Sequence, residues 1–250
     1  MYLSRLILNP RTRAVRRDLA DCHELHRTIL GGFPDLNGKG GEARETFGVL
    51  HRIDIHPRSG AIVLLVQSQE KPDWSKLPEG YLLENTGTEN PACKAIDEQY
   101  GKIKAGDVYA FRLRANPTKK IGTSRIEDIK AGKPKNNGRR VPIRNESDQI
   151  LWLKRKGAAG GFELMSTKRF SELSDVLISE EGHQKIYTFD TGIKAKVQKN
   201  ARENRLTFGS VLFEGTLKVT NAEKFLETLK SGIGSGKAYG FGLLSLAPAR

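Results

Sequence analysis

An α+β fold of two similar halves is the architecture this sequence predicts, on three observations. Apolar runs with two-residue alternation are interleaved with stretches where apolar residues recur at helical spacing. The order strand, helix, two strands, an irregular or helical segment and a further strand is met twice, and 250 residues supply enough chain for two small cores. That order is the ferredoxin-like one. The expectation is therefore two tandem ferredoxin-like domains, 1–118 and 139–250, joined by a basic linker over 119–138. No sequence repeat accompanies the repeated order, so the duplication rests on the elements alone.

Tyr2 to Asn9 is short, apolar and stopped by Pro10, which reads as a strand. Asp21 begins a helix. With Glu24 three residues on it has the spacing of a capping box, and Cys22, Leu25 and Ile29 recur as a buried stripe. At about 100° per residue, His23, His26, Arg27 and Leu30 fall together on the neighbouring face. Glu45 to Ile55 and Ala61 to Gln69 read as two strands joined by the turn-rich His56-Pro57-Arg58-Ser59-Gly60. Asp107 to Ala115 closes the first half as a strand with Arg112 and Arg114 alternating on one side.

Asn116 to Gly138, rich in Pro, Gly and Lys, reads as the connection. The second half then opens with a strand over Arg140 to Arg144, a helix from about Ser147 through Lys154, and a strand around Phe162 to Met165. It closes with a strand over Ser210 to Thr220, a helix over Asn221 to Lys230 and a last strand over Phe241 to Leu246. Inserted between is a hairpin, Thr191 to Phe208, in which Ile193, Ala195 and Val197 alternate with Lys194, Lys196 and Gln198, and Lys199 joins the basic face at the turn. An edge guarded by lysines and a ribbon laid against a nucleic acid both fit that pattern.

Between the last helix and the last strand, Gly232, Gly234, Gly236, Gly240 and Gly242 surround Lys237 and Tyr239. Glycines this dense let amide N–H groups close on an anion. A helix cap followed by a strand kink accounts for two of the five, so a phosphate-binding loop is the favoured reading. It is not a nucleotide P-loop: the helix precedes the glycines, Ser231 stands where the first glycine belongs, and Ala238 stands where Ser or Thr belongs. No nucleotide cofactor is expected.

Lys and Arg number 42 against 29 Asp and Glu, a formal charge of +13 that favours a polyanionic partner, nucleic acid being the commonest. Most of the excess lies between Phe111 and Arg144. With aromatics at 7%, backbone contacts are expected to outweigh base stacking. The candidate contacts are Arg112, Arg114, Lys119, Lys120, Arg139, Arg140, Arg144, Lys194, Lys196, Lys199 and Lys237, with Gly234, Gly236, Gly240 and Gly242 in the loop. Cys22 and Cys93 form no Cys-x-x-Cys pair, so neither a metal site nor a disulfide is expected and a reducing cytoplasm fits. No run approaches the ~20 apolar residues of a membrane span, and a soluble, intracellular protein is expected.

No paired carboxylates stand at nuclease-like spacing, and nothing resembles a Ser-His-Asp set. RNA cleavage needs no metal: the 2′-OH attacks the adjacent phosphorus while a base takes its proton, an acid protonates the 5′-oxygen and a cation stabilises the phosphate. His26, between the buried stripe and the polar face and beside Arg27, suits that work. His23 lies farther toward solvent, and His51, His56 and His183 read as ordinary surface or core residues.

Several segments carry a more specific likeness: Leu8-Asn9-Pro10, Arg16-Arg17-Asp18-Leu19-Ala20, Glu24-Leu25-His26-Arg27-Thr28, Pro72-Asp73-Trp74-Ser75, Phe111 to Lys120, Gly138-Arg139-Arg140-Val141 and Gly236 to Ser245. In this order they resemble the CasE family, the endoribonucleases that process CRISPR precursor transcripts in type I-E Cascade. The resemblance implies two ferredoxin-like (RRM-like) domains and metal-independent cleavage at the base of a repeat stem-loop, leaving a 2′,3′-cyclic phosphate. It implies that His26 is the general acid or base and that Arg27 is the neighbouring arginine. It also implies that the product stays bound and that other Cascade subunits are partners. His23 departs from the family, which often has a tyrosine there; it is the third catalytic candidate beside His26 and Arg27, either substituting for that hydroxyl or contacting RNA. The alternative reading is a non-catalytic RNA-binding scaffold subunit.

Overall fold

The structure, a computed structural model, describes residues 1–36, 40–121, 139–165, 177–180, 193–199 and 202–249; for 40–42, 139, 177–180, 193–199 and 202–207 it describes the backbone alone. The first sheet joins β1 (Tyr2–Leu8), β2 (Leu50–Ile55), β3 (Ile62–Ser68) and β4 (Ala92–Ala95) in the antiparallel order β2-β3-β1-β4. Between β1 and β2 run α1 (Arg13–Ala20), α2 (Cys22–Leu30) and α3 (Gly40–Thr46). A 3-10 turn at Trp74–Lys76 stands where the second ferredoxin-like helix would be, and α4 (Asp97–Gly101) follows β4. Along β1, Ser4, Leu6 and Leu8 point inward, meeting Val15, Leu25, Ile29, Leu64 and Val66 in the first core.

The second sheet joins β5 (Val108–Ala115), β8 (Phe162–Leu164), β12 (Val211–Val219) and β13 (Leu244–Pro248) in the order β13-β5-β12-β8. Its helices are α5 (Glu146–Ala159) after β5 and α6 (Ala222–Ser231) after β12. Both sheets therefore have the ferredoxin-like strand order, and the tandem fold stands. Leu113, Leu153, Phe162, Phe213, Leu217, Phe225 and Leu229 fill the second core. A ribbon of β6 (Thr118–Ile121) and β7 (Arg139–Pro142) rises from the end of β5, and β9 (Leu177–Glu180) pairs with the far half of β12. The lysine hairpin is formed as β10 (Ile193–Lys199) and β11 (Arg202–Phe208), in register from Ile193 opposite Phe208 to Lys199 opposite Arg202.

The division between the units differs from expectation. Asp107 to Ala115, read as the last strand of the first half, instead starts the second sheet, where β5 lies between β13 and β12. The first sheet is closed by β4, a four-residue strand of Ala-Cys-Lys-Ala, too short and too weakly apolar to announce itself. Arg140 to Arg144, read as the strand that opens the second half, contributes β7 to the small ribbon instead. The change of sheet thus falls between Ala95 and Val108. Of the linker expected over 119–138, Lys119 to Ile121 belong to β6 instead, and 122–138 lie outside the described residues.

Two local differences have plain causes. Glu45 and Thr46 belong to α3, and the strand begins only at Leu50, because Gly48 takes φ +58° and turns the chain. A helix unforeseen in the sequence, α1, precedes the histidine helix; the Thr12 side chain caps it through Val15 N–H at 3.4 Å. Its Asp18 is wholly buried between Arg17 and the Tyr81 hydroxyl, which donates to it at 2.8 Å.

The two units are bolted together at β2. Arg52, 2% exposed, donates to both carboxylate oxygens of Asp54 at 2.9–3.0 Å and to the carbonyls of Arg112 and Leu243 at 3.1 Å each. Gln67 of β3 donates to the Leu229 carbonyl at 2.7 Å and accepts from Tyr100. These bonds place β2 of the first unit against the glycine loop of the second.

Candidate functional site

The histidine helix rests on that junction. Asp21 caps α2 through His23 N–H at 2.9 Å, and Cys22, Leu25 and Ile29 are buried as their spacing predicts. Glu24 does not close the capping box; its carboxylate meets Arg27 at 3.0 Å and Arg17 at 3.5 Å. α2 also meets the 3-10 turn Lys237–Tyr239, where Cys22 packs with Phe241 and Tyr239, and the backbone of β10 runs beside the same helix.

His26 is half-buried at this meeting point. Its Nδ1 is buried without a hydrogen-bond partner among the described residues, and its ring stacks on that of His51 in β2, centroids 6.2 Å apart and planes 20° off parallel. Burial, then the neighbouring His23 and Arg44, push the His26 pKa down to about 4. His51 is wholly buried and is pushed down to about 3, by burial first and then by His26, Arg114 and Arg44. At neutral pH His26 is therefore uncharged, the form that can act as a base, although burial makes it a weaker base than an ordinary histidine. Lys237 closes the site from the loop, its pKa lowered by burial and by Arg44, and Tyr239 packs on Phe208 with ring centroids 4.9 Å apart.

The other candidates divide. Arg27 is on the exposed side of α2, 67% accessible and held by Glu24. His23 is half-buried one turn before His26. Arg114 is half-buried beside His51, while Arg112 spends its charge on Glu214 and lies 4.0 Å from Asp54. Lys119, Lys120 and Arg140 line a cleft of about 580 Å³, which Arg155 and Lys156 of α5 complete with no carboxylate among the described lining residues. Trp152 is at its base, with Lys156 Nζ 6.0 Å from the ring, and Gly234 and Ser235 form its edge. Arg144 is exposed outside this cleft. The side chains of Arg139, Lys194, Lys196 and Lys199 lie outside the described residues.

Sequence reasoning missed Arg44, His51, Trp152, Arg155 and Lys156. The run Lys154-Arg155-Lys156 was a legible signal; Arg44 and His51 carried none, because they reach the site only through tertiary packing. All five loop glycines have positive φ. Gly234 borders the basic cleft, Gly236 packs on Phe241, Gly240 on His51 and Gly242 on Ile233. Among the described residues no group of His, Cys, Asp and Glu could hold a metal ion, and no helix is long and apolar enough to cross a membrane.

Paired ferredoxin-like units with an uncharged histidine at their junction and a cleft whose described charged residues are all basic define a protein shaped to meet a polyanion. The chain belongs to the CRISPR-associated protein family, whose model matches residues 1–248. It is 34% identical to the CRISPR-associated endoribonuclease Cse3 of Thermus thermophilus over 99% of this chain and 100% of the relative. It is 30% identical, over the same shares, to the Cascade subunit CasE of Escherichia coli K12. The structure of Thermus thermophilus Cse3 bound to an RNA representing a pre-cleavage complex is similar at a TM-score of 0.70 and 33% identity, covering 99% of this chain and 98% of that one.

Proposed function

We propose that the protein is a metal-independent endoribonuclease that cleaves CRISPR precursor RNA at the base of the repeat stem-loop and keeps the processed RNA as a Cascade subunit. Full-length similarity to Cse3 and CasE supports the substrate and the assembly. The observation that carries the chemistry is His26, uncharged and half-buried where α2 meets β2 and the glycine loop, with Arg44 close enough to act on it. In this reading His26 takes the proton of the attacking 2′-OH as its oxygen bonds phosphorus. The bond from phosphorus to the 5′-oxygen breaks and that oxygen takes a proton from water, while the phosphate charge is met by Arg27, Lys237 and the loop amides. His23, one turn away on the same face, contacts the RNA. Lys119, Lys120 and Arg140 hold the stem backbone together with Arg155 and Lys156. Cys22 and Cys93 stand outside any disulfide, which fits a reducing cytoplasm.

The test is single-turnover cleavage of the host's own repeat hairpin in EDTA. Wild type is expected to leave a 2′,3′-cyclic phosphate, and His26→Ala to lower the rate by about 10²–10⁴-fold with hairpin affinity nearly intact. Tight binding without cutting by either protein would make the chain a scaffold.

A further inference from the structure

We propose that His51 is a positioning residue for the reaction: its buried ring, stacked on His26, fixes the plane of that imidazole and closes its inner side to water, so that only the outer edge meets RNA. The inference rests on the reading of His26 as the proton-transfer group, and no residue of β2 enters that reading.

Three observations point to it. His51 is 0% exposed, and both its ring nitrogens are without hydrogen-bond partners among the described residues. A buried imidazole left so is unusual, since buried polar atoms are nearly always paired. Its ring contact in the site is His26, near-parallel at 6.2 Å. On the other side the glycine loop leaves room for the ring: a Cβ on Gly240 would sit 3.6 Å from His51 Nε2 and 3.7 Å from Cδ2. The imidazole is thus held between Gly240 of the second unit and His26 of the first, and β2, which carries it, is anchored at the very next residue by Arg52.

The chemistry follows from the placement. A proton-transfer group works when its ring stands at a fixed angle to the 2′-OH, and a misplacement of about 1 Å is enough to slow a reaction about 10²-fold. Among the described residues His26 Nδ1 has no hydrogen-bond partner, and the stacked His51 ring limits rotation. Keeping water from its inner side also keeps His26 uncharged. The groups facing the pair leave that burial as the first cause: His23 from α2, Arg44 from α3, Arg114 from β5 and Lys237 from the loop are bases, with Glu45 the carboxylate acting on Lys237. Asp21, Cys22 and Tyr239 border the helix start, and Lys194 and Lys196 lie on β10, whose backbone runs beside α2.

The experiment compares wild type, His26→Ala, His51→Ala and His51→Phe in single-turnover cleavage of the host's repeat hairpin in EDTA across pH 3.5–8, with hairpin affinity measured for each. His51→Ala is expected to cut about 10–100-fold more slowly at neutral pH, with affinity within about threefold and the acid midpoint of the pH–rate profile raised toward that of ordinary histidine. His51→Phe restores a flat buried ring and is expected to recover most of that loss with a low midpoint. A wild-type rate and midpoint in His51→Ala overturns the proposal. So does a His51→Phe profile that falls or shifts with a melting temperature like wild type's, even if His51→Ala fails to fold. Full activity of His26→Ala would instead sink the reading beneath it.

Discussion

His26 and His51 make the folded state sensitive to acid, and the sign follows from their shifts. Both titrate lower when folded, to about 4 and about 3, than the ~6.5 of an unfolded histidine. Above pH ~6.5 neither state is protonated and the full stability is present. As the pH falls, the unfolded chain takes up protons that the folded chain refuses, so stability drops through the window from ~6.5 to the folded values. The loss is on the order of a few kcal/mol. Urea unfolding at pH 7.5 and pH 4.5 should show it, and His51→Phe should lose less between the same two points. An equal pH dependence in both proteins would remove His51 from this account. Helical spacing put His23, His26 and Arg27 on one face, since the face of an amphipathic helix is set by local sequence, and the adjacent Arg27 with the family resemblance singled out His26. His51 read as an ordinary core residue because its partner lies 25 residues away on another element.

The glycine loop shows how an element's sequence can be read correctly as special and still owe its composition to packing. Gly242 takes φ +91°, its N–H donates to the Arg114 carbonyl at 2.8 Å, and its own carbonyl accepts from Ile233 at 3.0 Å. A Cβ there would come 2.9 Å from the Ile233 carbonyl oxygen, which belongs to the backbone and cannot step aside. Gly87 also has positive φ, at +68°, but open space around it. Gly242→Ala should therefore combine strain and clash, for about 2–4 kcal/mol, while Gly87→Ala meets the strain alone, for about 1 kcal/mol. Denaturant midpoints would order the two, and equal losses would mean that the loop relaxes freely. The sequence showed the loop's position, the preceding helix and the following strand. It did not show that the loop fills the junction beside β2, because that depends on Arg52 reaching the carbonyls of Arg112 and Leu243.

Across the whole molecule, the strand order was legible and the point of division was not. Both halves are patterned alike, but β4 is four weakly apolar residues, and β5, longer and better patterned, looked like the end of the first half rather than the start of the second. Charge was legible in amount and only partly in place. Arg112, the clearest arginine of the β5 pattern, is neutralised by Glu214, whereas Arg155 and Lys156 stand beside Lys119, Lys120 and Arg140 with no carboxylate among the described residues of the cleft. Each cation that meets an RNA phosphate releases a counterion, so the dependence of log affinity on log salt loses roughly 0.7–0.9 for every such contact removed. Replacing Arg155 and Lys156 together by Gln should therefore flatten the salt dependence of hairpin binding by about 1.5, and Arg112→Gln should flatten it far less, since its charge is already spent. Titrations at several salt concentrations would decide it. The reverse order would mean that the RNA crosses the exposed face of β5 and breaks the Arg112–Glu214 pair on binding, and the cleft beside α5 would then be no part of the RNA path.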